Sequence, residues 1–226
     1  MAFLVLYINM NDASTPQKGD LRRLFIAIAI PQHIATELYA IQKSEEKNTP
    51  TKAWRWQHKH DYHISLAFPG HQGADGLAKI KKALSSISFP SFDAYVQGLR
   101  CFNRSGVKTN IPHVLWAGLN PAADAYIKEL SKVVFAALKT EGITYGRDDV
   151  MPHITLAKAK NKDMDIILDI IKRRDEFKSS TWRINEIVLY NSENKSRMGD
   201  RNAPHPYKEI QSFKLRAPAD KTPPTP

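Results

Sequence analysis

Hydrophobic and polar positions fall along this chain in short blocks whose spacing switches between the strand and helix periods. RRLFIAIAIP holds a near-continuous apolar run from Leu24 to Ile30, the pattern of a buried strand, stopped by Pro31. QHIATELYAIQK then sets Ile34, Leu38 and Ile41 on one helical stripe, and SEEKNTPTK reads as a loop. DYHISLAFPG is a second strand, ended by the turn signal PGHQG. DGLAKIKKALSSI lines up Leu77, Ile80 and Leu84 as a helix, and FDAYVQGLRCF alternates as a strand.

The second half repeats this order. HVLWAGL is a strand, and AADAYIKELSKVVFAALKTEG is the longest helix, with Gly142 as its C-terminal cap. MPHITLAKAK, MDIILDIIKRR, WRINEIVLY and PYKEIQSFKL read as strand, helix, strand and closing strand. Strand–helix–strand–helix–strand therefore occurs twice, which points to an internal duplication within one compact body.

Composition narrows the classes. At 226 residues and 42% apolar content the chain can bury a real core. A single cysteine, Cys101, excludes an internal disulfide and a multi-cysteine zinc site, so a reducing, cytoplasmic setting is expected. Phe3 to Ile8 is apolar but short and not preceded by a basic residue, and residues 1–21 read as an N-terminal extension. The proline-rich stretch 217–226 is expected to be a disordered tail. Lys and Arg number 33 against 23 Asp and Glu, a surplus that favours polyanionic partners. No basic amphipathic helix with a broad apolar face stands out, so nucleic acid ranks ahead of membrane.

The candidate chemistry lies in two strands. Strand periodicity of two puts His63 and Ser65 on one face of HISLAF, away from Ile64 and Leu66. One such histidine is more often a structural hydrogen-bonder. Ninety positions later, however, HITLAK repeats the pattern with His153 and Thr155. Each unit reads histidine, isoleucine, hydroxyl residue, leucine, alanine, at equivalent places in the duplicated frame. Paired imidazoles suit acid–base work near neutral pH.

The two His-x-Ser/Thr-apolar motifs resemble those of the two-histidine (2H) phosphoesterase superfamily, and within it the RNA 2′,3′-cyclic phosphodiesterases, historically called 2′-5′ RNA ligases. The similarity takes in RRLFIAIAIP, Trp56 seven residues before His63, HVLWAGL, and IVLYNSE, so it spans roughly residues 22–216. It implies an α+β fold of two pseudo-symmetric lobes of antiparallel sheet, with flanking helices, around a central groove. It further implies metal-independent, cofactor-free hydrolysis of cyclic phosphate ends on RNA or nucleotides, with His63 as proton donor, His153 as acceptor and a 2′-phosphate as product. Ser65 and Thr155 would bind the phosphate. Ser65 stands where the family more often has threonine, which keeps the hydroxyl. Arg147 lies six residues before the second histidine, where the family usually has an arginine about five before. Phe25 and Tyr190 enter the groove by resemblance alone. A 2′-5′ ligase or 2′-5′ oligonucleotide phosphodiesterase would use the same groove, and a non-catalytic nucleotide-binding module could share the fold. The chain is expected to be a monomer.

Other residues are placed by pattern. Lys158 and Lys160 follow the second motif, but Lys158 is an odd number of positions from Thr155, so strict alternation turns it away from the groove unless a twist or bulge intervenes. Trp116 reads as core, whereas Trp56, in a polar stretch read as a loop, is the better base-stacking candidate. Lys172 to Arg174 close a helix, where cations suit its dipole. HKHDYH lacks the spacing of a zinc site, and Cys101 has no neighbouring base.

Overall fold

The computed structural model describes residues 21–48, 54–103, 112–146, 149–159, 164–192 and 207–216. Arg147, Lys160, the leader and the proline-rich tail lie outside the described residues. In chain order the elements are β1 (Arg22–Ala29), α1 (Gln32–Asn48), β2 (Trp54–Trp56), β3 (His63–Gln72), α2 (Ala74–Ser85), β4 (Phe92–Ala94), β5 (Val96–Asn103), β6 (Pro112–Leu119), α3 (Pro121–Thr140), β7 (Ile154–Ala159), α4 (Met164–Arg173), β8 (Trp182–Ile184), β9 (Glu186–Ser192) and β10 (Tyr207–Lys214).

The large sheet runs β10-β9-β1-β3-β7-β6-β5, with β2 also paired to β7, and every pairing in it is antiparallel. Its two wings meet at one register pair, Ile64 on β3 with Ile154 on β7. Farther along β7 that edge is taken by β2, from Trp54↔Ala159 to Trp56↔Ala157. The histidine strands therefore touch at one point, and the mixed α+β fold has two antiparallel wings of related order.

The duplication is present, but its sequence halves are not the wings. β5 ends the first half yet lies beside β6 of the second, and β9 ends the second half yet lies beside β1. Two stretches read as single strands are each broken to allow this. FDAYVQGLRCF splits at Tyr95, whose backbone N–H donates to the Asn120 side chain at 3.0 Å, and WRINEIVLY splits at Asn185. The short pieces β4 and β8 pair with each other in a separate small sheet, pinned where Arg183 bridges to Asp93 at 3.0 Å. Gly98 adopts φ +70, and the backbone oxygen of Asp175 lies 3.1 Å from where a Cβ would stand.

Three further expectations are corrected. α1 continues through SEEKN because Glu45 is fully buried and ion-paired to Arg173 at 2.6 Å and Arg174 at 2.8 Å. Those arginines serve a carboxylate from a distant helix as well as the end of their own. The PGHQ stretch is part of β3, with Gly70 at φ +76 absorbing a register irregularity against β1. Trp56 lies on β2 rather than in a loop. Gly142 does take the left-handed conformation, φ +68, just past α3.

The core fills around the strand contact. Ile26, Ile64, Leu66, Leu99, Leu115, Ile154 and Leu156 are completely or almost completely buried, with α2 and α3 against β3 and α4 against β5 and β6. Each such side chain contributes about 1.5–3 kcal/mol by leaving water. No described helix is long and apolar enough to cross a membrane.

Candidate active site

The Ile64↔Ile154 contact fixes the geometry of everything beside it. In an antiparallel pair the residues flanking that contact face each other crosswise, so His63 lies across from Thr155 and Ser65 across from His153. Both isoleucines have no exposed surface, while all four flanking residues are half-buried, which puts the histidines and hydroxyls together on the opposite face. Diagonal neighbours in a regular pair stand roughly 7–8 Å apart. That separation between the histidine positions leaves room for one tetrahedral group between two rings.

The same backbone device orients both rings. His63 Nδ1–H donates to the carbonyl of Asp61 at 2.7 Å, and His153 Nδ1–H donates to the carbonyl of Met151 at 2.7 Å. A carbonyl can only accept, so each Nδ1 carries the hydrogen and each Nε2 is left for chemistry. Asp61 closes a tight 3-10 turn over Lys59–Asp61, and buried Tyr62 donates its hydroxyl to Gln42 on α1 at 2.6 Å. This anchors the chain immediately before His63. Burial lowers the pKa of both imidazoles from the ordinary histidine value, and Lys158 lowers both further. His153 adds to the depression at His63.

Two bulges determine what else faces the groove. On β3, Ser65 pairs with Ala27 and Ala67 with Ile26, so Leu66 is an extra residue. On β7, Thr155 pairs with Trp116 and Ala157 with Leu115, so Leu156 is extra in the same way. Each bulge reverses the phase of the strand beyond it. Phe68 and Lys158, both five residues after a motif histidine, thereby return to the histidine face. Lys158 thus lies at the site, where its charge acts on both imidazoles, and burial lowers its own pKa.

Aromatic rings line both sides. Phe25 packs 5.2 Å from the His63 ring and 5.1 Å from Tyr190, and 54%-exposed Phe68 lies 6.3 Å from Phe25. Tyr207 stands edge-on to His63 at 5.3 Å. On the other wing Phe102 and Trp116 contact the His153 ring at 4.8 and 5.8 Å. Trp116 is buried, as core residues are, but it also floors the site. Burial pushes the Tyr190 hydroxyl up to about 12, with Glu209 and Glu186 adding to the effect.

The predicted residues His63, Ser65, His153, Thr155, Phe25, Lys158 and Tyr190 are therefore brought together. Trp56 is not among them. It pairs with Ala157, which is buried, and its half-buried side chain packs on the hydrophobic core. Its neighbour Arg55 pairs directly with Lys158 and takes the groove position instead. Arg55, Phe68, Phe102 and Tyr207 were missed by sequence reasoning. Only the repeated histidine-to-Phe68 and histidine-to-Lys158 spacing offered a signal for any of them. Cys101 has its thiol pKa raised by burial, opposite to what a nucleophile needs. The described residues contain no cluster of three or more His, Cys, Asp or Glu able to hold a metal ion.

Residues 28–111 match the family model described as LigT like phosphoesterase. That stretch contains the first histidine motif and the strands on either side of it. Among curated relatives of this chain, the RNA 2′,3′-cyclic phosphodiesterase of Archaeoglobus fulgidus is 28% identical over 152 residues, covering 67% of this chain and 80% of the relative. The Geobacillus stearothermophilus protein of the same name is 26% identical over 168 residues, covering 74% of this chain and 51% of the relative. The fold is shared with E. coli LigT complexed with 3′-AMP, at TM-score 0.59 and 20% identity, covering 87% of this chain and 98% of that one. It is shared too with TT0787 of Thermus thermophilus, at TM-score 0.62 and 21% identity, covering 87% and 100%.

Proposed function

We propose that this protein is a phosphoesterase that hydrolyses 2′,3′-cyclic phosphate ends of RNA, with His63 and His153 as its proton-transfer pair. The single observation that carries this reading is the Ile64↔Ile154 contact, which sets two Nδ1-anchored imidazoles and two hydroxyls on one face. The names of the curated relatives support the substrate class.

In the proposed reaction, neutral His153 takes a proton from water through Nε2 as the water oxygen bonds to phosphorus. The bond from phosphorus to the ribose 3′ oxygen breaks, and protonated His63 supplies the proton that oxygen needs. The product is a 2′-phosphomonoester, and the pair ends with its protons exchanged. Ser65, Thr155 and Lys158 hold the non-bridging oxygens. Each imidazole contributes on the order of 10²–10⁴-fold in rate.

The test is turnover of an RNA oligonucleotide ending in a 2′,3′-cyclic phosphate, in EDTA, with the 2′- and 3′-phosphate products resolved. We expect 2′-phosphate, and loss of about 10²–10⁴-fold in kcat for either His63→Ala or His153→Ala. Near wild-type turnover by both variants would sink the assignment, and a 3′-phosphate product would reverse the acid and base roles.

A further inference from the structure

The cyclic phosphate site accounts for the paired histidines, the hydroxyls and Lys158, but not for the cations beyond them. Arg55 is the direct cross-strand partner of Lys158. Like charges facing each other across a pair are destabilising, and long cationic side chains in that position spread apart unless an anion joins them. Near Arg55 stands Tyr207, held by a hydrogen bond from the Gln57 side chain and set edge-on to both His63 and Phe25. Arg23 follows on β1, two residues before Phe25 and so on the same strand face. None of Lys158, Arg55 and Arg23 forms an ion pair among the described residues.

The charges are felt in sequence. Lys158 acts on both imidazoles and Arg55 acts on Lys158, while at Tyr207 the Asp61 carboxylate is the leading charge and Arg23 and Arg55 oppose it. Arg55, beside Lys158 in register, and Arg23, on the strand face of Phe25, thus lie outboard of the reacting position and near one phenol ring. A cyclic phosphodiester carries one negative charge, already met by Lys158 and an imidazolium. Two further cations beside an aromatic ring match the next phosphate along a nucleic acid strand, with its sugar or base against the ring.

We propose that Arg55 and Arg23, together with Tyr207, form a second phosphate subsite that binds the internucleotide phosphate on the 5′ side of the nucleotide carrying the cyclic phosphate. The inference rests on the cyclic-phosphodiesterase reading and adds a specificity to it: the site prefers an RNA end to a free cyclic mononucleotide, because only the RNA end carries that second phosphate.

The experiment compares kcat/KM for a nucleoside 2′,3′-cyclic phosphate with that for a dinucleotide ending in the same group, in the wild type, Arg55→Gln, Arg55→Lys and Arg23→Gln. We expect wild type to favour the dinucleotide, and Arg55→Gln to reduce the dinucleotide value about tenfold more than the mononucleotide value. Arg23→Gln acts in the same direction, and Arg55→Lys recovers part of the preference. The dependence of log kcat/KM on log salt should also be steeper by about 0.7 for the dinucleotide, the signature of one more neutralised phosphate on a single strand. Equal losses on both substrates, or equal salt slopes, overturn the second subsite while leaving the phosphodiesterase intact. Turnover of neither substrate by wild type overturns the phosphodiesterase reading, and the subsite falls with it.

Discussion

His63 and His153 owe their usefulness to neighbours two residues away. The carbonyls of Asp61 and Met151 fix the protonated nitrogen of each ring, so the aiming of Nε2 is a backbone property rather than a side-chain choice. Ser65 and Thr155 follow from strand alternation alone and face the opposing histidine across the Ile64↔Ile154 contact. A hydroxyl that donates to a charged oxygen is worth about 1.5–3 kcal/mol, so Ser65→Ala and Thr155→Ala should each lower kcat/KM by at least about tenfold. Steady-state kinetics on a cyclic-phosphate substrate measures this, with Ser65→Thr as the conservative control. A variant that binds and turns over normally without both hydroxyls would remove them from the site. At this scale the sequence was legible wherever a motif repeated. Phe25, named by resemblance, packs on the His63 ring, and Tyr190, named likewise, stacks on Phe25. Trp56 was misplaced because a tryptophan among polar residues looks like a loop, when it is the inward half of a strand whose outward half is Arg55.

Elements add what single residues cannot carry. The bulges at Leu66 and Leu156 each slip the strand by one position, and that slip is what returns Lys158 to the histidine face. Strict alternation therefore gave the wrong side for Lys158, although the matching spacing from His63 to Phe68 and from His153 to Lys158 was already visible. A further irregularity, at Gly98, lies where the register of β5 against β6 shifts between Val96 and Leu99. Gly98→Ala places a Cβ on a left-handed residue and 3.1 Å from the Asp175 carbonyl oxygen, so it should cost about 1–2 kcal/mol or more. Urea unfolding monitored by circular dichroism tests the point: an unchanged midpoint would mean that the strand relaxes without the glycine. Helix ends were legible where a chemical signal is local, as at Gly142. The end of α1 was not, because the charges of SEEK resemble a solvated loop until Arg173 and Arg174 are brought to Glu45 from another helix.

The whole molecule sets how the pair responds to pH. Both imidazoles have pKa values below the usual histidine figure of about 6.5, with burial the leading cause. A mechanism needing one neutral and one protonated ring peaks between their two values, so the bell-shaped kcat/KM profile should have its maximum below about pH 6.5. An optimum well on the alkaline side would contradict the burial of the rings. The same depression links to stability. The unfolded chain binds protons more readily than the folded one, so this contribution is present above about pH 6.5 and is lost as pH falls through the lower folded values. Thermal unfolding should show Tm falling on acidification more steeply in the wild type than in His63→Gln/His153→Gln, and parallel curves would deny the linkage.

By itself the sequence determined the duplicated order of strands and helices, the two histidine–hydroxyl motifs and a basic balance suited to a polyanion. Those are local properties, written in periodicity, residue type and composition. Tertiary structure alone decided that each half gives its last strand to the opposite wing, that β3 and β7 touch at one isoleucine pair, and that Arg55, Tyr207 and Phe102 complete the groove. These depend on register between segments far apart in the chain, and a one-residue slip turns a side chain from core to groove. No window of sequence contains that information.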